Sequence, residues 1–308
     1  MLTEADINFA IEAKNLTKRY GSTLATNGLN LTVRRGTTFG LLGPNGAGKS
    51  SFIRMLMGLS DIDEGSATML GFDVEQRPTE LRQRIGYVPE LHFIYRWMTV
   101  ADVIQFVSAL YKRWDKSLAD ELLTKFELPK KKKVKALSKG MVAKLGLLLA
   151  LAHRPELLVL DEPTSGLDPV IREDFLESVL RSDAMDNRTI LFSSHHVDDV
   201  ERVADDVGIM VDGQLVLCGA VDTVREQVKR VRFVLSDGTL PAKIPPEVIY
   251  QKLNRREWLV TIHPFSPELV AQIQAENPVE NATVIDLSLE DIFKDLVRGR
   301  THAKGEVT

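Results

Sequence analysis

The sequence predicts an α/β protein. Its main part is a three-layer domain around a parallel sheet, with an antiparallel strand layer at its start and a helical insert. A small α+β domain follows. Three observations predict this. ELLVLDEP (156–163) and RTILFSSHH (188–196) contain continuous apolar runs of strand length, as in strands buried on both faces. GPNGAGKS (43–50) is a glycine-rich turn between an apolar strand and an amphipathic helix. After residue 228 the texture changes, with Pro241, Pro245, Pro246, Pro264, Pro267 and Pro278 punctuating short strands and helices.

The elements follow in order. Residues 9–35 place Ile11, Leu16, Leu29, Leu31 and Val33 among polar neighbours, the pattern of antiparallel strands with one solvated side. TTFGLLG is a short strand running into Gly43, and KSSFIRMLMGL puts Phe52, Met55, Leu56 and Leu59 on one helix face. RIGYVPE is another short strand. Residues 99–128 read as helical, from Val100, Val103 and Val107 through to Leu118, Leu122 and Phe126. DVGIMVDGQLVLCG is two strands around Asp212-Gly213, a tight-turn dipeptide. VRFVLSDG and EWLVTIHP read as strands, and SPELVAQIQAEN and SLEDIFKDLVRG as helices. The expected domains are residues 1–228, with the helical insert at about 92–145, and residues 229–308, with a frayed tail from Thr301.

Composition narrows the function. The chain has 308 residues, 44% hydrophobic and 27% charged, which is the make-up of a globular protein with room for more than one core. Its longest apolar run, Leu145–Ala152, is stopped by His153-Arg154-Pro155 and falls short of the roughly 20 residues that cross a bilayer. The acidic start MLTEADINFA lacks the order of a signal peptide, and Cys218 is the one cysteine, so a cytoplasmic location is expected. The net charge of −4 argues against a general nucleic-acid binder. The basic run PKKKKVK (129–135) reads as a solvated turn; a nuclear-import or phosphate patch and contact with anionic lipid headgroups are its other readings. In LHFIYRWMTVADVIQF (91–106), Phe93, Ile94, Tyr95, Trp97 and Met98 are either core of the helical insert or an anchor for a partner.

GPNGAGKS fits the phosphate-loop pattern G-x-x-x-x-G-K-[ST] in the right context, a strand before and a helix after. Gly43, Pro44, Asn45, Gly46, Ala47 and Gly48 wrap backbone N–H groups around a phosphate, and the helix presents its positive end to the same anion. Lys49 brings charge to the terminal phosphates and Ser50, followed by Ser51, a hydroxyl for Mg²⁺. Asp161, at the end of a buried strand, is placed to hold Mg²⁺ directly or through water. Glu162 comes next and is placed to orient and deprotonate a water.

With GPNGAGKS, YVPE, LSKGM, LLVLDEP, SGLD and SSHH in this order, residues 7–228 resemble the nucleotide-binding subunits of ABC transporters. The resemblance implies a P-loop ABC ATPase domain that uses ATP and Mg²⁺ and forms a head-to-tail homodimer. It implies that Ser138, Lys139 and Gly140 form a signature loop facing ATP held by the other subunit. Here Lys139 and Met141 depart from the common LSGGQ. It matches Tyr20 to an aromatic residue that stacks on adenine, against a core reading of the same ring. Glu90 stands where Gln is usual, as a Mg²⁺ ligand or water-orienting group and as a hinge to the membrane partner. Asp168 matches a loop crossing the dimer interface. His195, rather than the adjacent His196, matches a switch histidine contacting the γ-phosphate. The implied function is the ATP-hydrolysing subunit of a transporter, of exporter type, peripheral on the cytoplasmic face of the membrane and driving a separate transmembrane permease, with no nucleic-acid partner. The rival readings are a non-transport ABC ATPase acting on nucleic acid or ribosomes, and a binding module that holds ATP without turnover.

Overall fold

A computed structural model describes residues 8–91, 94–180, 188–241 and 243–305. The chain divides into two compact units, Met1–Leu215 and Val216–Thr308. The first begins with strands β1 (Phe9–Tyr20), β2 (Thr23–Arg34) and β3 (Thr38–Leu42), then helix α1 (Lys49–Leu56). Strands β4 (Glu64–Met69) and β5 (Phe72–Asp73), helix α2 (Thr79–Arg84) and strand β6 (Ile85–Val88) follow. Helices α3 (Val100–Ser108), α4 (Lys116–Lys125) and α5 (Lys139–Leu151) come next. The unit continues through β7 (Leu157–Leu160), α6 (Pro169–Leu180), β8 (Thr189–Ser194), α7 (Val197–Val203), β9 (Asp206–Val211) and the start of β10 (Gln214–Ala220).

Two sheets organise this unit. One is four-stranded and antiparallel, in the order β2-β1-β4-β5. The other is six-stranded, in the order β10-β9-β3-β8-β7-β6, with β9, β3, β8, β7 and β6 all parallel. Every residue of β7 and β8 is buried, as their unbroken apolar character requires. Ile11, Leu31 and Val33 of the antiparallel sheet share one apolar core with Phe39, Val159 and Leu191 of the parallel one. Helix α1 contributes Phe52, Ile53, Met55 and Leu56 to that core. Its N-terminus is thereby held at the C-terminal edge of β3.

The helical stretch expected over 99–128 is two helices. Thr99 caps α3 reciprocally with Asp102, and α3 ends at Ser108 with Ala109 as its C-cap. Asp115 restarts the chain by accepting the Leu118 amide at the head of α4. Of the aromatic-rich segment, Met98 is buried, Ile94 half-buried, and Tyr95 and Trp97 exposed. Phe93 lies outside the described residues.

The second unit carries α8 (Val221–Gln227), β11 (Lys229–Leu235), β12 (Val248–Asn254), β13 (Glu257–Ile262), α9 (Pro267–Glu276), β14 (Val279–Asp286) and α10 (Leu289–Gly305). The tail expected to fray from Thr301 instead continues α10 to Gly305. The sheet is antiparallel, in the order β12-β13-β11-β14. Its core packs Val231, Phe233, Trp258 and Val260 against Val270 and Ile273 of α9. Asp295 of α10 is buried and accepts from Arg230 Nη2 at 2.6 Å and Thr261 Oγ1 at 2.5 Å. Gly299 lets α10 lie against the β12 backbone, since a Cβ there would fall 1.9 Å from the Ile249 carbonyl oxygen.

Trp258 is the largest fully buried side chain among the described residues, and its ring centroid lies 5.3 Å from that of Phe233. Trp258→Ala should cost about 3–5 kcal/mol. Hydrogen exchange should show that loss in β11 and β13 while amides of β7 and β8 keep their protection.

Candidate functional site

The loop 43–50 takes its shape from close backbone packing. Gly48 has φ +102°, and a Cβ on it would sit 2.0 Å from the Ala25 carbonyl oxygen. Only glycine fits that position. Asn45, Gly46, Ala47, Gly48, Lys49, Ser50 and Ser51 line a cleft of about 310 Å³ with Thr23, Leu24, Ala25, Glu90 and Glu162. Gly43 and Pro44 close the loop from below through their carbonyl groups. Lys49 Nζ donates to the Gly43 oxygen at 2.6 Å and the Pro44 oxygen at 3.2 Å.

Two carboxylates at the end of β7 face this loop. Asp161 is 2% exposed and its Oδ1 accepts from Ser50 Oγ and from Ser193 Oγ, each at 2.9 Å. Burial pushes the Asp161 carboxyl above its ordinary range; the two hydroxyls oppose that, while the nearby negative charges of Glu90 and Glu162 add to it. Glu162 is 7% exposed and adopts φ +45°, a left-handed conformation uncommon outside glycine. Its own amide donates to Ser193 Oγ at 2.8 Å, which holds the turn. That turn sends Oε1 to within 2.9 Å of Lys49 Nζ and Oε2 to 2.8 Å from His195 Nδ1. The Lys49 contact is ionic: the lysine's hydrogen bonds go to carbonyl groups, and Oε1 has no hydrogen-bond donor among the described residues.

The rim is built from the end of β8. Ser194 and Thr164 donate to Asp199 Oδ2 at 3.1 and 3.0 Å, and Arg172 Nε pairs with Asp199 Oδ1 at 3.0 Å. His195 stands 28% exposed beside the cleft. His196 packs 4.0 Å from it, ring to ring, and burial and the neighbouring His195 lower its pKa.

The structure thus brings Lys49, Ser50, Asp161, Glu162 and His195 into one cluster, with Glu90 exposed on the same cleft. It does not bring in the rest. Ser138 is exposed and caps α5, accepting the Met141 amide at 3.2 Å. Gly140 is buried, and a Cβ on it would meet Ile171 Cγ2 at 2.6 Å, so helix packing favours glycine there. Lys139 is exposed, as is Asp168, whose carbonyl accepts the Arg172 amide at the start of α6. None of these four lines the Lys49 cleft. Tyr20 is 47% exposed, its hydroxyl 3.3 Å from Ser60 Oγ, so its ring is not core.

Sequence reasoning missed Ser193, the residue that orients both carboxylates. Its signal was the polar pair Ser193-Ser194 at the end of an otherwise apolar strand. It also missed Asp199, which lies in an acidic stretch after His196. Both act through neighbours brought together by the fold. The arrangement can bind a polyphosphate at the loop, place hard oxygen ligands beside it, and hold a buried carboxylate within reach of a water.

Comparisons with known proteins agree. Residues 26–165 match the ABC transporter domain family. The chain is 32% identical over 223 residues to the ABC transporter ATP-binding protein YtrB of Bacillus subtilis, covering 72% of this chain and 76% of that one. It is 30% identical over 302 residues to the bacitracin transport ATP-binding protein BcrA of Enterococcus faecalis, covering 95% and 98%. A solved ATP-binding subunit of an ABC transporter superposes with a TM-score of 0.64 at 28% identity, over 71% of this chain and 92% of that one. The chain belongs to the ABC transporter family, as an ATP-binding, ATP-hydrolysing subunit.

Proposed function

We propose that this chain hydrolyses ATP as a head-to-tail homodimer and drives a separate transmembrane permease, in the direction of export, from the cytoplasmic face of the membrane. The observation that carries the chemistry is the joining of Lys49, Asp161, Glu162 and His195 in one buried cluster at the phosphate loop. In this reading the loop amides and Lys49 bind the β- and γ-phosphates. Glu162 takes a proton from a water as the water's oxygen attacks the γ-phosphorus and the bond to ADP breaks. His195, with Nδ1 turned to Glu162, keeps Nε2 for the γ-phosphate and fixes the carboxylate's direction.

Ser50 and Asp161, with Glu90 on the cleft wall, would hold Mg²⁺. The donor set fits: all are hard oxygens, and no group of three His, Cys, Asp or Glu among the described residues forms a closed metal cage. Mg²⁺ keeps phosphate and water ligands and needs only one or two from protein. When bound it supplies charge neutralisation at the phosphates.

Ser138, Lys139, Gly140 and Asp168 lie off the chain's own cleft, which supports their acting on nucleotide held by a second copy. Tyr20, exposed at the end of β1, is left for the adenine ring. No helix among the described residues is long and apolar enough to cross a membrane; the separate permease is proposed from the family. An apolar groove of about 540 Å³, lined by Leu81, Tyr87, Ile94, Val107 and Tyr111 among others, is the proposed seat for it.

Three outcomes test this reading. Glu162→Gln should keep ATP binding, lower turnover by at least a hundredfold in a phosphate-release assay, and elute as a dimer with ATP, because an amide cannot accept the proton. Wild-type turnover in that variant would end the assignment. Lys49→Ala and Ser138→Arg should each be inactive, yet mixing them should restore part of the activity through one intact site. Recovery at a rate unrelated to subunit exchange would argue against shared sites. The third concerns Asp161. A carboxyl whose folded pKa lies above its unfolded value loses stability for the fold as pH rises past the unfolded value. Asp161→Asn should therefore unfold, without nucleotide, at least as high as wild type, by about 1 kcal/mol in its favour. It should also lose Mg²⁺-dependent ATP hydrolysis. A lower melting temperature would show that the charge itself holds Ser50 and Ser193 in place.

A further inference from the structure

The run Lys130–Lys133 is a fixed edge rather than a loose turn. Its backbone is strapped to the segment before α3: the Val100 amide donates to the Lys132 oxygen at 3.0 Å and the Val134 amide to the Met98 oxygen at 2.9 Å. Thr99 and Lys133 form an antiparallel bridge between these bonds. The Lys135 amide donates to the Arg96 oxygen at 3.0 Å. Alternation across this ribbon separates its faces. Met98 and Val134 are buried, while Trp97, Lys133 and Lys135 are exposed beside them. Lys131 is exposed as well, and so are Arg96 and Lys132 at the positions that alternate with Trp97 and Lys133.

Lys130 is paired with Asp120 at 3.0 Å. Among the described residues no carboxylate is paired with Arg96, Lys131, Lys132, Lys133 or Lys135. A chain of net charge −4 thus concentrates on one ribbon five cations that have no carboxylate partner among the described residues. They border an exposed aromatic group: Trp97 is 68% exposed and its ring lies 6.0 Å from Tyr95, which in turn meets Phe106 edge-on at 6.0 Å. Cations held in register beside exposed Trp and Tyr match the interface of an anionic bilayer. Lipid phosphates take the charge there, and the headgroup layer takes rings that are part apolar and part polar.

We propose that this ribbon, Arg96-Trp97 with Lys131–Lys133 and Lys135, is a contact surface for anionic phospholipid headgroups. The surface lets the ATPase rest on the bilayer without a partner, so it goes beyond the permease reading and is independent of it. Each lysine near such a surface is worth about a fivefold change in affinity.

The test uses the full chain without a permease. Flotation with vesicles of phosphatidylcholine alone is compared with vesicles holding 30 mol% phosphatidylglycerol at about 100 mM salt. Wild type should float with the anionic vesicles and not the neutral ones, and should release as salt rises. Tryptophan emission should shift to the blue on binding, and Trp97→Phe should abolish that shift. Replacing Lys131, Lys132 and Lys133 together by Gln should weaken vesicle binding roughly a hundredfold while ATP turnover in solution stays at the wild-type rate. Equal binding to both vesicle types, or a triple variant that floats like wild type, would overturn the proposal. So would wild-type binding to duplex RNA but not to vesicles, which would assign the ribbon to nucleic acid. None of these outcomes depends on whether a permease docks in the apolar groove.

Discussion

The carboxylate of Asp161 ties together three pieces of chain that are far apart in sequence. It leaves the end of β7, accepts the hydroxyl of Ser50 in the first turn of α1, and accepts the hydroxyl of Ser193 near the end of β8. A charge this deeply buried is tolerated only with hydrogen-bond partners, since an ion stripped of water without them costs several kcal/mol. The fold supplies them by placing parallel β3, β7 and β8 side by side, so that their C-terminal ends face one point. Burial there pushes the Asp161 carboxyl above its ordinary range, and the same placement keeps its oxygens close to the phosphate loop.

Charge balance around Lys49 follows from the same constraint. The lysine is 4% exposed and sits between two carbonyl groups and the Glu162 carboxylate. Glu162 divides its two oxygens between Lys49 and His195, and its left-handed backbone conformation makes that division possible. Without the turn, the side chain would continue the alternation of β7 and face another layer. Ser193 holds the turn through the Glu162 amide while its hydroxyl hydrogen goes to Asp161. One serine therefore sets the direction of the proposed metal ligand and of the proposed base together.

Much of this was legible in the sequence, for physical reasons that can be named. Buried parallel strands cannot alternate, so LLVL and TILFSS announced themselves as continuous apolar runs. The phosphate loop was legible because its glycines answer local backbone demands, as Gly48 does against Ala25. The antiparallel pair β1 and β2 was read, but β4 and β5 were not. Their sequence EGSATM has few large side chains, and β5 is two residues long, so pairing with β1 rather than pattern makes them strands. In the second unit β12 and β14 carry charged and polar residues on open faces and sit at the sheet edges, where alternation is weakest. The break between α3 and α4 was hidden by apolar residues that keep helical spacing across it. Ser193 was hidden because its role depends on two neighbours supplied by other strands.

Gly140 shows how a local explanation and a functional one can coincide. A glycine near the start of α5 costs roughly 1 kcal/mol of helix stability against alanine. Ile171 of α6 fills the space a Cβ would occupy, so packing accounts for the glycine without any ligand. Ser138 is likewise accounted for by the Met141 amide it caps. Yet Ser138 sets the positive end of a thirteen-residue helix at the surface, on a part that does not line the chain's own phosphate cleft. A helix start with a hydroxyl and little side-chain bulk receives phosphate well. In the dimer proposed above, nucleotide carried by the second copy would use it, and that geometry needs no residue beyond those that already make α5 stable.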